Sequence, residues 1–582
     1  MAEEEVVAER SDRKLRMSLN TWDLLFLSLG GIIGSGWLFA AYAASSIAGP
    51  AAILSWIIGG VIVLIIALNY AELGAMIPRS GAIVRYGQYS HGNLAGYFMA
   101  WAYFLSAVSV PAIEAEAVVE YASPYISHLY NGVVLQPLGI LFAALLMVFF
   151  FFLNYFGIRV MGKTNTGMTW WKLILPLVTI LLLISVRFDL ANFSSVFSGP
   201  FQGVSVTSSS SGFMPYGFAP VMSAVATSGI VFSFLGFRQG LDYGGESKTP
   251  QRSIPIATIG SVLIGILVYV LLQVAFIGAI NFQALGIPNG AWSLLQTFST
   301  VKGSPVYALN GAPFASIASS VGLVMLTYVL FADAYVSPSG TLNVYLGTSM
   351  RTLYGTAALG YLPSSMLKVD QKRRIPVMPL LVSLIVGIIF FAPFPSWYKL
   401  VGFITSATVF TYLIGGPALR SLRRNAKELK RPFKLPGSSI LAPLAFIGAS
   451  LVVYWSGWPL VGDLAIAIFI GLVVYVIFFL LKQKNDPTRQ KIHTWEFVKS
   501  GIWVPVYILV LSAESFLGET ALGGSNLVPY PWDLIMVIIV AIAFYFWAEH
   551  SGIRTQEIEE IVTLDSQYLT SDEEPFGSNG GA

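Results

Sequence analysis

The chain has 582 residues, 55% of them hydrophobic and only 11% charged, with a mean hydropathy of +0.71. A soluble protein of this length carries about a quarter charged residues, so the composition excludes a soluble class and indicates a polytopic membrane protein. The net charge of +3 is too small to indicate a nucleic-acid partner, and the lack of cysteine excludes disulfides, thiol catalysis and cysteine-ligated metals.

Residues 1–16 read as a charged cytoplasmic tail (Glu3, Glu4, Glu5, Arg10, Arg13, Lys14, Arg16). No cleavable signal is visible, because the apolar segment that follows is too long for a signal h-region. A membrane span needs about 20 mainly apolar residues. On that rule fourteen helices are expected, near 22–47, 51–76, 95–121, 134–156, 168–188, 217–242, 254–280, 314–344, 376–393, 397–418, 439–457, 461–482, 499–516 and 531–549. The basic clusters fall on one side if these helices alternate, and the opposite loops hold little beyond Lys302. Arg79 and Arg85 follow the second, Arg159 and Lys163 the fourth, Lys248 and Arg252 the sixth, and Arg351 to Arg374 the eighth. The richest cluster, Arg420 to Lys434, follows the tenth; Lys482 to Lys491 follow the twelfth, and Arg554 the last. By the positive-inside rule both termini are expected in the cytoplasm. The opposite loops are Ser/Gly-rich (Ser194 to Gly212) or rich in Asn, Gly and Pro (Asn281 to Pro313), and the tail beyond Arg554 is acidic and polar, with a disordered composition.

Two of these helices are interrupted. The first carries Gly34-Ser35-Gly36 near its centre, with Gly30 and Gly31 just upstream. Lipid offers no partner for backbone N–H and C=O groups, so such a cluster marks a place where the backbone is freed to bond something else. The sixth is interrupted around Phe232 to Gly240, with Gly236 at its centre. Helices five apart cross in opposite directions, and matching breaks in two such helices are the mark of an inverted repeat with a binding site between them. Close helix packing by small residues is the alternative for either break taken alone.

Several ordered motifs resemble the amino acid–polyamine–organocation superfamily of permeases. They are Gly31 to Phe39; Tyr70-Ala71-Glu72-Leu73 with Pro78-Arg79-Ser80-Gly81; Phe232 to Phe237 with Gly245 to Pro255; Asn343 to Arg351; Gly360-Tyr361-Leu362-Pro363; and Arg431 to Pro436. The resemblance covers roughly residues 17–482. It implies an all-α, sodium-symporter-like inverted repeat of five plus five helices, with broken helices 1 and 6. Residues 17–190 would form the first repeat, 191–216 an extracellular loop, and 217–418 the second repeat. Residues 419–482 would add helices 11 and 12, 483–550 two extra helices outside the family core, and 551–582 a cytoplasmic tail.

The resemblance further implies that the substrate carboxylate is bound by the N–H groups of Ser35 and Gly36, with Gly34 allowing close approach. An anion at the start of a half-helix is favoured on physical grounds. The substrate ammonium would meet the carbonyls of Ile32, Phe232 and Leu235, and Phe232 and Phe237 would gate or cover the site. Arg238 departs from the family, many members of which carry an acidic residue there. Its forked donors match a carboxylate, so it is expected either to read an aspartate or glutamate side chain or to pair with Asp242 one turn on. Lys172 matches a lysine that stands in for sodium in some proton-coupled members; snorkelling to the interface is the alternative. Asp333 is a second expected proton-coupling residue. Glu114, Glu116 and Glu120 are expected to approach the extracellular half.

The expected function is therefore secondary active transport of amino acids across the plasma membrane, as a symporter coupled to protons rather than sodium and favouring acidic substrates. An amino acid exchanger and a non-transporting amino acid sensor are the alternatives. A channel would present filter loops or rings of pore-lining groups, and none is visible. With four histidines and no metal or nucleophile motif, no enzyme activity, metal or cofactor is expected. The partners expected are the amino acid, the coupling proton and the lipid bilayer.

Overall fold

The computed structural model of the protein describes residues 18–123, 126–131, 134–156, 158–208, 212–485 and 499–562. The N-terminal tail 1–16, the basic residues Arg489 and Lys491, and the acidic tail from Asp565 onward lie outside them.

The first apolar segment is two helices. In α1 (Thr21–Ile32) the Asn20 side chain accepts from the N–H groups of Trp22 and Asp23, and Asp23 accepts from the Asn20 N–H, a reciprocal capping box. The chain leaves helical geometry at Ile33 and Gly34 and resumes as α2 (Ser35–Ala48). Then follow α3 (Ala52–Met76), the short α4 (Ala82–His91), the 30-residue α5 (Asn93–Ala122), α6 (Pro137–Tyr155) and α7 (Ile158–Val186). A small antiparallel hairpin, β1 (Gly199–Phe201) with β2 (Val204–Val206), lies in the next connection, Gly199 opposite Val206.

The second interrupted segment is α8 (Phe218–Thr227), α9 (Ile230–Phe234), a 3₁₀ turn at Leu235–Arg238 and α10 (Gln239–Asp242). The axis bends by 47° between Thr227 and Ile230. The sharp break is thus earlier than expected from the Gly236 region. Gly229, at φ +90°, adopts a left-handed conformation that only glycine takes readily; the stretch around Gly236 is a tightened 3₁₀ turn.

The remaining long helices are α11 (Pro250–Ala279), α12 (Val324–Ala358), α13 (Val377–Ile389), α14 (Trp397–Tyr412), α15 (Gly415–Asn425), α16 (Ser438–Trp455), α17 (Leu460–Asn485), α18 (Trp503–Leu517) and α19 (Trp532–Ser551). One expected span moves. Instead of 314–344 there is a short helix Pro313–Ser320, a turn at Gly322, and then α12 running on to Ala358. Arg351 is consequently a buried helical residue and not a loop cation.

Among the described residues ten helices are long and apolar enough to cross a membrane, or eleven with the bent α8–α10 pair, while α1 and α13 are shorter apolar helices. This is an all-helical, multi-pass membrane architecture. The length-and-composition count is below the fourteen expected because α2 and α3 form one apolar run, Ser35–Met76, α12 carries many polar residues, α13 is too short, and the bent α8–α10 segment counts only as a pair. The interior is built around α5, whose side chains are nearly all buried, and which packs against α12 and α14; α11 packs against α3 and α1. The outward faces of α6, α7, α17 and α19 expose Leu145, Phe149, Leu181, Ile470 and Ile539, the apolar band that lipid requires.

The end of the bundle that carries the basic clusters is cross-tied. Arg351 forms a forked pair with Glu246 at 2.5 and 3.0 Å and lies over the Tyr243 ring. Glu72 takes two bonds from Arg423 and the Leu435 N–H. Helix α19 and the segment after it fasten to α4: the Ala548 carbonyl meets the His91 ring, the Ile553 N–H donates to the Ser90 carbonyl, and Glu557 accepts from Gln88.

Candidate functional site

The two breaks meet. A Cβ on Gly236 would stand 2.1 Å from the Ile32 nitrogen and 2.2 Å from the Gly31 carbonyl carbon, and one on Gly36 would stand 2.2 Å from the Ser233 Oγ. Only residues without side chains allow the two backbones this close. Replacing Gly236 by Ala is expected to force them apart at a cost of about 1–3 kcal/mol or more and to lower uptake of every amino acid together. Gly260→Ala in α11, where a Cβ first meets Leu25 at an ordinary 3.6 Å, is expected to leave uptake intact. Radiolabelled uptake normalised to surface expression checks both.

At the first break, the Ser35 N–H that opens α2 donates to Glu114 Oε2 of α5 at 2.8 Å, and the Ser35 hydroxyl accepts from the Trp397 indole at 2.7 Å. Gly34 is flanked by Thr341 Oγ1 and Glu114 Oε1, and that second carboxylate oxygen has no hydrogen-bond partner. The half-helix start therefore already holds a carboxylate, as its dipole and free N–H groups favour. Glu114 belongs at the level of the break and not in an outer vestibule.

The carbonyls at the end of α1 are engaged too. Ile32 accepts from the Tyr269 hydroxyl at 2.7 Å and from the Gly34 N–H at 3.1 Å, so both its lone pairs are engaged. Gly30 accepts from Lys172 Nζ at 2.8 Å and from Thr341 at 2.8 Å, and Lys172 also donates to Thr341 Oγ1 at 2.9 Å. Lys172 is fully buried with its ammonium on the broken helix, which excludes snorkelling to the interface. Asp333 lies further along α12, accepting from the Trp171 indole and the Ser337 hydroxyl at 2.7 Å each, with its other oxygen unpartnered.

At the second break, Phe232 sits edge-on to Trp397, Phe237 lies against Tyr412, and Leu235 is buried in the 3₁₀ turn. The Phe232 carbonyl accepts from the Leu235 N–H within the turn. Arg238 is completely buried. Its Nη1 donates to Ser106 at 2.9 Å, and its guanidinium carbon lies 4.8 Å from the ring centres of both Tyr103 and Tyr345. The expected Arg238–Asp242 pair is not formed: Asp242 instead accepts from the Tyr103 hydroxyl. Nε and Nη2 of Arg238 make no hydrogen bond of normal length and angle, and the hydroxyls of Tyr345 and Tyr412 are the polar groups that face the guanidinium.

Ile32, Gly34, Ser35, Gly36, Phe232, Leu235, Gly236, Phe237 and Arg238 thus cluster at two facing breaks, all of them buried. Lys172 joins this cluster through Gly30, whereas Asp333 contacts the second layer around Trp171. The sequence reading assigned no role there to Tyr103, Ser106, Tyr269 or Trp397. Glu114 alone carried a signal, an acidic residue inside a membrane helix.

A profile described as amino acid permease matches residues 23–422. The chain is 39% identical over 568 residues to the glutamate/serine transporter AimA of Bacillus subtilis, covering 96% of this chain and 98% of that protein. It is 33% identical over 548 residues to the aspartate-proton symporter of the same organism, covering 93% and 98%. Similarity to the branched-chain amino acid permease BcaP of that organism is lower, 24% over 502 residues, covering 83% and 97%.

Proposed function

The chain belongs to the amino acid permease family, and on that premise we propose that it is a proton symporter of the plasma membrane that favours aspartate and glutamate. The observation that carries the acidic preference is Arg238: a buried guanidinium beside the two facing breaks, with two nitrogens that make no hydrogen bond of normal length and angle. A permanently charged group at such a place is costly unless it meets a partner, and a substrate side-chain carboxylate supplies one with matching fork geometry. Two relatives that match over nearly their full length are named for glutamate or aspartate transport, which supports the same reading; the first is also named for serine, and serine is proposed as the neutral substrate of this chain against which the acidic preference is read.

The substrate α-carboxylate takes the place Glu114 occupies at the start of α2, on the N–H groups of Ser35 and Gly36. Its ammonium faces the second break, towards the carbonyls of Phe232 and Leu235: Ile32 already accepts from both Tyr269 and the Gly34 N–H, whereas Phe232 accepts from the Leu235 N–H and keeps a second lone pair. Phe232 and Phe237 cover the bound molecule. Lys172 carries the coupling proton at the broken end of α1, with Asp333 behind it. This reading places residues 17–190 and 217–418 as two inverted five-helix repeats among fourteen spans, with both termini cytoplasmic.

Purified protein in liposomes tests the proposal. An inward proton gradient is expected to drive concentrative uptake of aspartate and glutamate, and an equivalent sodium gradient is not. Uptake that requires preloaded internal amino acid under both gradients would establish an exchanger instead.

A further inference from the structure

We propose that Tyr103 is a positioning residue for acidic selectivity: by holding Asp242 it keeps the Arg238 guanidinium free to take a substrate carboxylate. This inference rests on the reading of Arg238 given above.

Arg238 and Asp242 are four residues apart across the end of the second break, the spacing at which opposite charges on a helix usually meet. Both are completely buried, where an unpaired charge is most costly. Yet no ion pair joins them. Tyr103 of α5 explains the separation, because it engages both partners at once. Its hydroxyl donates to Asp242 Oδ2, and its ring lies 4.8 Å from the guanidinium carbon. The Tyr345 ring lies at the same distance, and Ser106, one turn along α5 from Tyr103, takes Nη1. The guanidinium is held by faces and by one hydroxyl, none of which neutralises its charge. Asp242 Oδ1 and Arg238 Nε and Nη2 make no hydrogen bond of normal length and angle; the Ile83 N–H faces the carboxylate and the Tyr345 and Tyr412 hydroxyls face the guanidinium. Remove the Tyr103 hydroxyl and the carboxylate loses its one side-chain donor while a free cation stands a turn away. Collapse into an internal pair is then favoured, since each buried charge gains a compensating partner. That pair would compete directly with an incoming aspartate or glutamate.

Tyr103→Phe removes one oxygen and leaves the ring in place. It is expected to raise the half-saturating concentration for aspartate by about tenfold or more, the cost of about one charged hydrogen bond, with a much smaller effect on serine. Adding Asp242→Asn, which cannot form the charged pair, is expected to restore aspartate affinity to within a few-fold. A purely structural role for Tyr103 would not predict that rescue. Asp242→Glu, whose longer side chain reaches towards the guanidinium, is expected to weaken aspartate binding in the same way and serves if Tyr103→Phe fails to fold. The proposal is overturned if Tyr103→Phe leaves aspartate affinity unchanged, if aspartate and serine fall equally, or if Asp242→Asn gives no rescue. Arg238→Gln in the same assay separates the two levels. Retained preference for aspartate over serine in that variant sinks the reading of Arg238 itself, whereas lost preference there with an unaffected Tyr103→Phe sinks only the role of Tyr103.

Discussion

Half-saturation of aspartate and glutamate uptake by the Arg238→Gln protein is expected at concentrations about a hundredfold higher than for the unaltered chain, with serine affected far less. The magnitude follows from the bonds available. Nε and Nη2 make no hydrogen bond of normal length and angle and lie in a fully buried setting. A hydrogen bond to a charged group contributes about 1.5–3 kcal/mol, and each 1.4 kcal/mol is tenfold in affinity. Two bonds to one carboxylate, less the cost of stripping its water, give about two decades. Serine has no second carboxylate to lose. Arg238→Lys is expected to fall between, since an ammonium keeps the charge but cannot present a fork. Competition of unlabelled amino acids against labelled serine measures the ratio. Equal loss for aspartate and serine would remove Arg238 from selectivity and leave it a structural group held by Ser106 and the two tyrosines.

The second large effect concerns coupling. A pH difference of one unit stores about 1.4 kcal/mol, which supports tenfold accumulation per coupled proton. In Lys172→Gln that accumulation is expected to vanish while counterflow between equal pools continues. Lys172 donates to the Gly30 carbonyl and to Thr341, and Thr341 itself reaches the Gly30 and Ile33 carbonyls. The ammonium is thus bonded into the broken end of α1, one residue from the Gly31 that packs on Gly236. Gain or loss of its proton changes how the two breaks are held together, a direct route from protonation to substrate affinity. Accumulation in the variant as large as in the unaltered protein would refute the coupling role. Loss of counterflow as well would show that Lys172 is needed for the site's geometry.

What the sequence made legible follows physical range. Gly34, Gly36 and Gly236 were visible because a missing Cβ in a membrane helix is itself the signal; in the fold Gly236 lies on the Gly31–Ile32 backbone, Gly36 against Ser233, and Gly34 against Thr341 and Glu114. The bend at Gly229 was less visible, because a single glycine gives no warning that its φ will be positive. Arg238 was conspicuous, but its environment was not. The i,i+4 spacing pointed to Asp242, and the residue that intervenes, Tyr103, lies 139 positions from Asp242 in the chain. Glu114 was misjudged for a similar reason. Counting residues along a 30-residue helix placed it towards the outer half, whereas its level is set by how α5 packs beside α2. Arg351 was read as a loop cation because the expected span 314–344 stopped short of it, although the polar patch at Ser337 to Thr341 was placed inside the helix. In the interior of the bundle Thr341 and Asn343 bond neighbouring helices, Ser337 bonds Asp333 of its own helix, and α12 continues to Ala358. Local composition thus identified the breaks, and partners brought from distant helices determined what the breaks hold.

The central claim is that one amino acid lies between the facing breaks, read at one end by the start of α2 and at the other by Arg238. An experimental map of the protein with bound aspartate tests it most directly. The account predicts the α-carboxylate on the Ser35 and Gly36 N–H groups with Glu114 displaced, and the side-chain carboxylate forked on Nε and Nη2 of Arg238. Aspartate bound elsewhere, or bound between the breaks with Glu114 still on Ser35 and Arg238 turned to Asp242, would contradict it.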